Sequence, residues 1–236
     1  MASEGLSGFG RLRLPPIGKA RSVKLYVYDH CPFCVKSRSI FGLKNTPFEL
    51  VIMLNDDAAT PMRMIGKKMA PILEHDGQYI PESMDIVAYV DGLGGKRILT
   101  GPRNAHVAQW ISDATDALYP LTMPRWAASD MQEFATQEAR ATFTRNKEAI
   151  VGNFKDRLAD SGGYIETLNA HLLSLEGLIQ SAEAVKGTLS EDDIHLFATL
   201  RALSIVRGIV YPPAVDAYRL RMAERTGVPL HDSIAT

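Results

Sequence analysis

The stretch VKLYVYDHCPFC, which spans residues 23–34, decides the fold of this 236-residue chain. From Val23 to Val27 apolar side chains alternate with others, and a period of two is typical of a β-strand. Asp29-His30 ends this pattern, and Pro32 stands where the first turn of a helix accepts proline. The stretch therefore predicts a strand that runs directly into a helix, with two cysteines at the junction.

The elements that follow this junction are marked by turn and breaker residues. A second strand is apolar enough to lie centrally in a sheet, and an Asp-Gly pair marks a hairpin further on. The predicted elements are a helix to Lys44, a strand from Phe48 to Met53, a helix from Thr60 to Gly66, strands Ile72–Glu74 and Gln78–Ile80, and a helix capped by Ser83 that ends at Gly92. The order β-α-β-α-β-β-α predicts an α/β domain of the thioredoxin type over residues 22–93.

Strand signals disappear after Asn104, so residues 104–230 are predicted to form an all-helical domain. Ser190 and Asp193 form an acidic variant of the capping box at the start of one of its helices. The remaining boundaries are a disordered leader or cloning remnant at 1–21, a linker at 94–103 and a tail at 231–236. The residues expected to serve packing or structure are Trp110, Tyr119, Trp126 and Phe143, with His106, His171 and His195 structural or exposed.

The composition excludes several classes of function. A formal net charge of −1 gives no broad attraction to nucleic acid or to an anionic membrane. Two cysteines three positions apart cannot cross-link a secreted fold, because their bridge would close almost no loop. We therefore expect a reducing, cytoplasmic compartment and a pair that cycles between dithiol and disulfide. No metal-ligand spacing or nucleotide-binding loop is present in the sequence.

The setting of the cysteine pair predicts thiol chemistry. Cys31 would lie at a helix N-terminus, where free backbone N–H groups, the helix dipole and a second thiol all favour its thiolate. Cys34, one turn further on, would be less exposed and would act as the resolving thiol. His30 and Lys36 are close enough in sequence to add positive charge. The alternatives are a structural pair or half of a zinc site, although no further cysteine exists to complete four zinc ligands.

Three segments together resemble a glutaredoxin. They are Tyr28–Cys34 (YDHCPFC), Met69–Leu73 (MAPIL) and Pro81–Ile86 (PESMDI). From about Val23 to the C-terminus the chain resembles the two-domain bacterial glutaredoxin 2 family, which has the overall build of a glutathione transferase. Phe33 stands where tyrosine is common in the family, and this departure removes a hydroxyl but no mechanistic group.

The resemblance implies a glutathione site around the cysteines. Pro71 would be a cis-proline, and the Ala70 backbone would pair with the cysteinyl part of glutathione. Glu82 and Ser83 would hold the γ-glutamyl end, with Glu82 on the ammonium and Ser83 on the carboxylate. The candidates for the glycyl carboxylate remain open and are Arg63, Lys67 and Lys68.

The implied activity is glutathione-dependent reduction of glutathionylated mixed disulfides and protein disulfides. The co-substrate would be glutathione, with no metal and no nucleotide, and the partners would be disulfide-containing or glutathionylated proteins met by a monomer. A cysteine-type glutathione transferase or dehydroascorbate reductase is one alternative, although conjugation needs no resolving thiol. A non-catalytic binder of an iron–sulfur cluster is the other, although Cys31-Pro32-Phe33-Cys34 is not the monothiol pattern associated with it.

Overall fold

A computed structural model describes residues 23–236, so the leader expected at residues 1–21 lies outside the described part of the chain. The N-terminal domain has the predicted order of elements. They are β1 (Val23–Val27), α1 (Pro32–Leu43), β2 (Glu49–Ile52), α2 (Ala59–Ile65), β3 (Ile72–His75), β4 (Gln78–Pro81) and α3 (Ser83–Gly92). The four strands form one sheet in the order β2-β1-β3-β4, in which β1 and β2 are parallel and the other pairs antiparallel.

The prediction that the second strand lies centrally in the sheet is wrong. β2 pairs only with β1 in this sheet and is therefore an edge strand. Glu49 and Leu50 are exposed accordingly, whereas Leu25 and Leu73 at the centre of the sheet are fully buried. The hairpin of β3 and β4 joins β1 on its other side, and a local apolar pattern carries no information about that choice.

The prediction of Ser83 as a helix cap is also wrong by one position. Glu82 occupies the N-cap with φ 66°, and Ser83 is the first residue of α3. No side chain caps this end of the helix. The Ser83 side chain is buried, and its carbonyl oxygen accepts a hydrogen bond from Oγ of Ser37 in α1 at 3.4 Å. Ser83 therefore helps to join the first and third helices.

The second domain consists of helices joined by loops, with one isolated β-bridge between Ser181 and Ala184 among the described residues. Its helices are α4 (Ala105–Ala128), α5 (Gln137–Val151), α6 (Phe154–Ala159), α7 (Ser161–Glu176), α8 (Glu191–Leu203) and α9 (Pro213–Thr226), with short 3-10 turns at Gln132–Phe134 and Asp232–Ile234. The predicted capping box is present, because Asp193 accepts from the backbone N–H of Ser190 and Ser190 caps α8. No helix between residues 23 and 236 is both long enough and apolar enough to cross a membrane.

The aromatic and histidine residues of this domain have largely the predicted structural roles. Trp110, Trp126 and Phe143 are buried in its core, and Tyr119 packs against that core. The His171 ring stacks on Trp110 with 4.7 Å between centroids. His106 is exposed and His195 half-buried.

The two domains share their cores. Val35 of α1 belongs to the apolar cluster of the helical domain, and Ile194 of α8 belongs to that of the N-terminal domain. Gly42 of α1 lies so close to the end of α9 that an added Cβ would fall 1.9 Å from the Thr226 carbonyl oxygen. Such an approach excludes any side chain at this position, so the backbones of α1 and α9 lie directly against each other here.

The last residues, 231–236, are bonded into the helical domain. The Thr236 carbonyl oxygen accepts from Nε of Arg125 at 2.7 Å, and the Thr236 N–H donates to Ile205 at 3.1 Å. His231 is buried. The segment given as a tail by the sequence thus closes against helices α4 and α8.

Candidate active site

The two cysteines lie at the start of α1 with different exposure. Cys31 is the N-cap residue, with its carbonyl oxygen accepting from Val35, and Pro32 is the first helical residue. Cys31 is half-buried and Cys34 fully buried, and both are free thiols. The Cys34 sulfur accepts a hydrogen bond from the backbone N–H of Tyr28 at 3.4 Å. Cys31 is therefore the thiol that a substrate can reach.

The surroundings divide the two thiols into a thiolate and a thiol. The pKa of Cys31 is lowered to about 6, chiefly by the hydrogen bond from Cys34 and against the opposing effect of burial. The charge of His30 and the backbone N–H groups of Cys34 and Phe33 contribute to this lowering. Burial, followed by the neighbouring Cys31, raises the pKa of Cys34 well above its ordinary value. Near neutral pH this arrangement gives a nucleophile at Cys31 and a proton donor at Cys34.

The lowered pKa predicts how alkylation of Cys31 depends on pH. Since the thiolate is the reactive form, the rate with iodoacetamide should rise roughly tenfold per pH unit below the midpoint and level off above it. We expect the midpoint near 6. The Cys31→Ser variant should lack the fast reaction, and this loss would assign the pH-dependent alkylation to Cys31. A midpoint near the ~8.5 of an ordinary thiol would contradict the site described here.

Cys31 opens into a cleft of about 270 Å³ between the two domains. The N-terminal domain contributes the loops around the cysteines and before β3, and α5 contributes the opposite wall. The residues that line it are Tyr28, His30, Cys31, Asn55, Lys68, Met69, Ala70, Phe143, Asn146 and Lys147. The cleft is thus polar, with two lysines at its wall, and suits an elongated anionic thiol compound.

The structure brings some of the predicted glutathione residues to this cleft and leaves others outside its lining. Ala70 lines it, and the Ala70–Pro71 peptide bond is cis, as predicted. Pro71 is buried directly behind. Glu82 and Ser83 lie beyond the lining at the start of α3, where Glu82 Oε1 accepts from Nζ of Lys67 at 3.3 Å on the surface.

The candidates for the glycyl carboxylate are separated in the same way. Lys68 lines the cleft and Arg63 is exposed on α2.

Lys36, which the sequence suggested as a source of positive charge for Cys31, packs against Phe33, with its Nζ 4.6 Å from the centre of the ring. Burial lowers the pKa of Lys36, and the charge of Cys31 opposes that effect.

The helical domain holds the two residues before Cys31. Arg201 of α8 donates to the Asp29 backbone oxygen at 2.6 Å and to both carboxylate oxygens at 3.0 and 3.1 Å, and Arg38 also bonds Asp29. Burial would raise the pKa of Asp29, but these two guanidinium groups lower it to about 2. Glu133, from the turn between α4 and α5, bonds His30. No sequence motif points to Glu133 or Arg201.

No group of three or more histidine, cysteine, aspartate or glutamate side chains within residues 23–236 could hold a metal ion. The chain combines a thioredoxin-like sheet, a cysteine at a helix N-cap and a helical domain that forms one wall of the cleft. These features define a thiol–disulfide oxidoreductase built like a glutathione transferase. Similarity to known proteins identifies the family within this class.

Two family models match the chain. The model described as "Glutaredoxin 2, C terminal domain" matches residues 106–235, and "Glutathione S-transferase, N-terminal domain" matches residues 25–97. Glutaredoxin 2 of Escherichia coli strain K12 is 50% identical over 214 residues, which is 90% of this chain and 100% of that protein. The chain therefore belongs to the glutaredoxin 2 family, and the resemblance found in the sequence is confirmed.

Solved structures agree with this assignment. The crystal structure of glutaredoxin 2 from Salmonella typhimurium in complex with glutathione is 51% identical with a TM-score of 0.90, covering 92% of this chain and all of that one. Glutathione transferase Omega 3C from Trametes versicolor is 16% identical with a TM-score of 0.53, covering 90% and 86% of the two chains, and shows the shared fold. The predicted fold class is confirmed, and the chain is a glutathione-dependent oxidoreductase.

Proposed function

We propose that Cys31 is the nucleophile of this activity. Its thiolate attacks the glutathione sulfur of a mixed disulfide, the S–S bond breaks, and the substrate leaves as a thiolate that takes up a proton. A second glutathione thiolate then attacks the Cys31–glutathione disulfide, which releases glutathione disulfide and restores Cys31. The observation that carries this proposal is the N-cap position of the half-buried Cys31 in the cleft, with a pKa lowered to about 6 beside a buried Cys34 thiol.

For a protein disulfide we propose that Cys34 completes the exchange. Cys31 first forms a mixed disulfide with one protein sulfur, and the other leaves as a thiolate. Cys34, once deprotonated, attacks Cys31 and releases the second protein thiolate, leaving a Cys31–Cys34 disulfide. Two glutathione molecules then reduce this bond in two exchanges. The burial of Cys34 directly behind Cys31 supports this order.

The glutathione bound at Cys31 is proposed to contact five residues, Lys68, Ala70, Pro71, Glu82 and Ser83. The Ala70 backbone, which lines the cleft before cis-Pro71, would pair with the cysteinyl part, and Glu82 and Ser83 would bind the γ-glutamyl end. The glutathione complex of the Salmonella typhimurium relative supports a site on this fold. Of the three cations left open by the sequence, we assign the glycyl carboxylate to Lys68, since it lines the cleft with Cys31.

We also propose a reducing, cytoplasmic compartment, because two cysteines three positions apart cannot cross-link a secreted fold. A net charge of −1 supports partners other than nucleic acid or membranes. We propose a monomer that acts on glutathionylated and disulfide-containing proteins, with no metal or nucleotide required.

The test separates the two disulfide substrates with one variant. Cys34→Ser should retain most glutathione-coupled reduction of a small glutathionylated disulfide and lose reduction of a protein disulfide to the uncatalysed rate, because only the second route needs a resolving thiol. Equal loss of both activities would contradict the proposed division of roles. Conjugation of electrophiles to glutathione by a parent protein with no disulfide reduction would instead assign transferase chemistry.

A further inference from the structure

We propose that Glu133 of the helical domain is a positioning residue for Cys31, on which it acts through His30. The inference rests on the proposed role of Cys31 as nucleophile. It gives the helical domain a direct part in the reactivity of a thiol carried by the other domain.

Glu133 makes two hydrogen bonds to the residue that immediately precedes the nucleophile. One oxygen, Oε1, accepts from the backbone N–H of His30 at 2.9 Å and bonds its ring Nδ1 at 2.8 Å. Both bonds are buried, and the side chain of Glu133 is fully inaccessible. The backbone oxygen of Glu133 also accepts from Asn55, another residue of the cleft, at 2.9 Å. One residue of the helical domain thus fixes two loops of the thiol site.

The two bonds of Oε1 need an acceptor at this position but not a charge, because the amide oxygen of a glutamine would accept them as well. The second oxygen, Oε2, is buried and has no hydrogen-bond partner among the described residues. A carboxylate with an unpaired buried oxygen costs free energy. A group retained at such a cost, in contact with the neighbour of a reactive thiol, is a candidate for a functional role.

The His30 ring is held in one orientation. It packs against Trp126, Phe134 and Phe143, with ring centroids 5.1, 5.2 and 5.0 Å away. An ionised carboxylate only accepts hydrogen bonds, so the contact favours a hydrogen on Nδ1 that points to Glu133. The charge of His30 is one of the causes that lower the pKa of Cys31, so the residue that fixes this ring acts on the thiolate through it.

The other charged or titratable groups around His30 are paired with an opposite charge, neutral near pH 7 or part of the cleft lining. Asp29 is paired with Arg38 and Arg201, and burial lowers the pKa of His231 to about 3, so His231 is neutral near pH 7. Lys68 and Lys147 line the outer part of the cleft. Glu133 is the carboxylate that contacts the ring directly.

The variant Glu133→Gln tests the inference, because it keeps the shape of the side chain and removes its charge. We expect the alkylation midpoint of Cys31 to rise by about one pH unit, which is a roughly tenfold lower rate below pH 6. The matched control is Glu166→Gln, since Glu166 is exposed on α7 of the same domain. Its midpoint should equal that of the parent protein. Thermal melting of both variants is recorded in parallel.

An unchanged midpoint in folded Glu133→Gln would overturn the inference, even if the variant melts at a lower temperature. If this variant does not fold, nitrogen NMR of the His30 ring in the parent protein decides. A hydrogen on Nδ1 supports the proposal, and a bare Nδ1 overturns it. Neither readout needs turnover. Failure of the proposed function would instead be seen as disulfide reduction that survives without Cys31, so the two failures are distinguishable.

Discussion

Serine in place of Cys31 is expected to reduce both glutathione-coupled activities to the uncatalysed background. A serine hydroxyl is not ionised near neutral pH and forms no disulfide, so neither route can begin. The remaining thiol cannot substitute, because Cys34 is fully buried and its pKa is raised. The measurement is reduction of a small glutathionylated disulfide and of a protein disulfide, each at saturating glutathione.

The interpretation depends on an intact fold. Cys31 makes no side-chain cap to α1, so its exchange for serine should leave thermal melting within about 2 °C of the parent, as for most changes outside the core. Cys34→Ser is the matched control, since it removes the other thiol of the pair. Substantial reduction of the small disulfide by Cys31→Ser would show that another group begins the reaction.

The thiol site could be predicted because its signals are local. The alternation up to Val27, the proline after Cys31 and the spacing to Cys34 lie within one short stretch, and helix geometry then orders the two thiols. The cis bond before Pro71 depended on the family resemblance, and the structure confirms it.

The errors concern choices that local sequence does not encode. β2 has an apolar sequence, but its place at the sheet edge depends on which side of β1 the hairpin joins. Ser83 is a common type of cap residue, yet Glu82 takes the cap position and the helix begins one position earlier than predicted, at Ser83, which is in contact with α1. Residue preference predicted the elements but not these neighbours.

The residues that the sequence did not reveal are separated from the site by large intervals. Glu133 bonds His30 across 103 positions, and Arg201 bonds Asp29 across 172. Glu133 follows no motif. Arg201 leaves one weak signal, a charged residue in the apolar run from Leu196 to Leu203 of α8, where a buried charge must find a partner.

Together these contacts give the helical domain a physical role in thiol chemistry. Its residues hold the backbone and side chains of positions 29 and 30 and thereby the start of α1. Gly42 permits α1 to lie directly against α9 further along the same helix. In this chain the N-terminal domain is therefore not structurally independent of the helical domain.

Methionine in place of Arg201 is expected to cause the largest loss of stability, about 3–5 kcal/mol in the free energy of unfolding. The guanidinium is fully buried and satisfies the Asp29 carboxylate, the Asp29 backbone oxygen and the Pro229 oxygen at once. Methionine fills the volume but removes these bonds, so the two backbone oxygens lose a donor inside the domain interface and the Asp29 carboxylate keeps only Arg38. Urea denaturation followed by tryptophan fluorescence measures the change.

Two controls and the pH dependence make this prediction specific. Arg207→Met removes an exposed arginine bonded to Ala235 and should cost no more than about 0.5 kcal/mol. Adding Asp29→Asn to Arg201→Met should lower stability further, because it also breaks the remaining pair between Asp29 and the buried Arg38. The pKa of Asp29 is about 2 when paired, so the pair stabilises the protein fully above about pH 4 and progressively less as the pH falls towards 2. A loss equal to that of Arg207→Met, or one that persists unchanged in acid, would mean that packing rather than this ion pair joins the domains beneath Cys31.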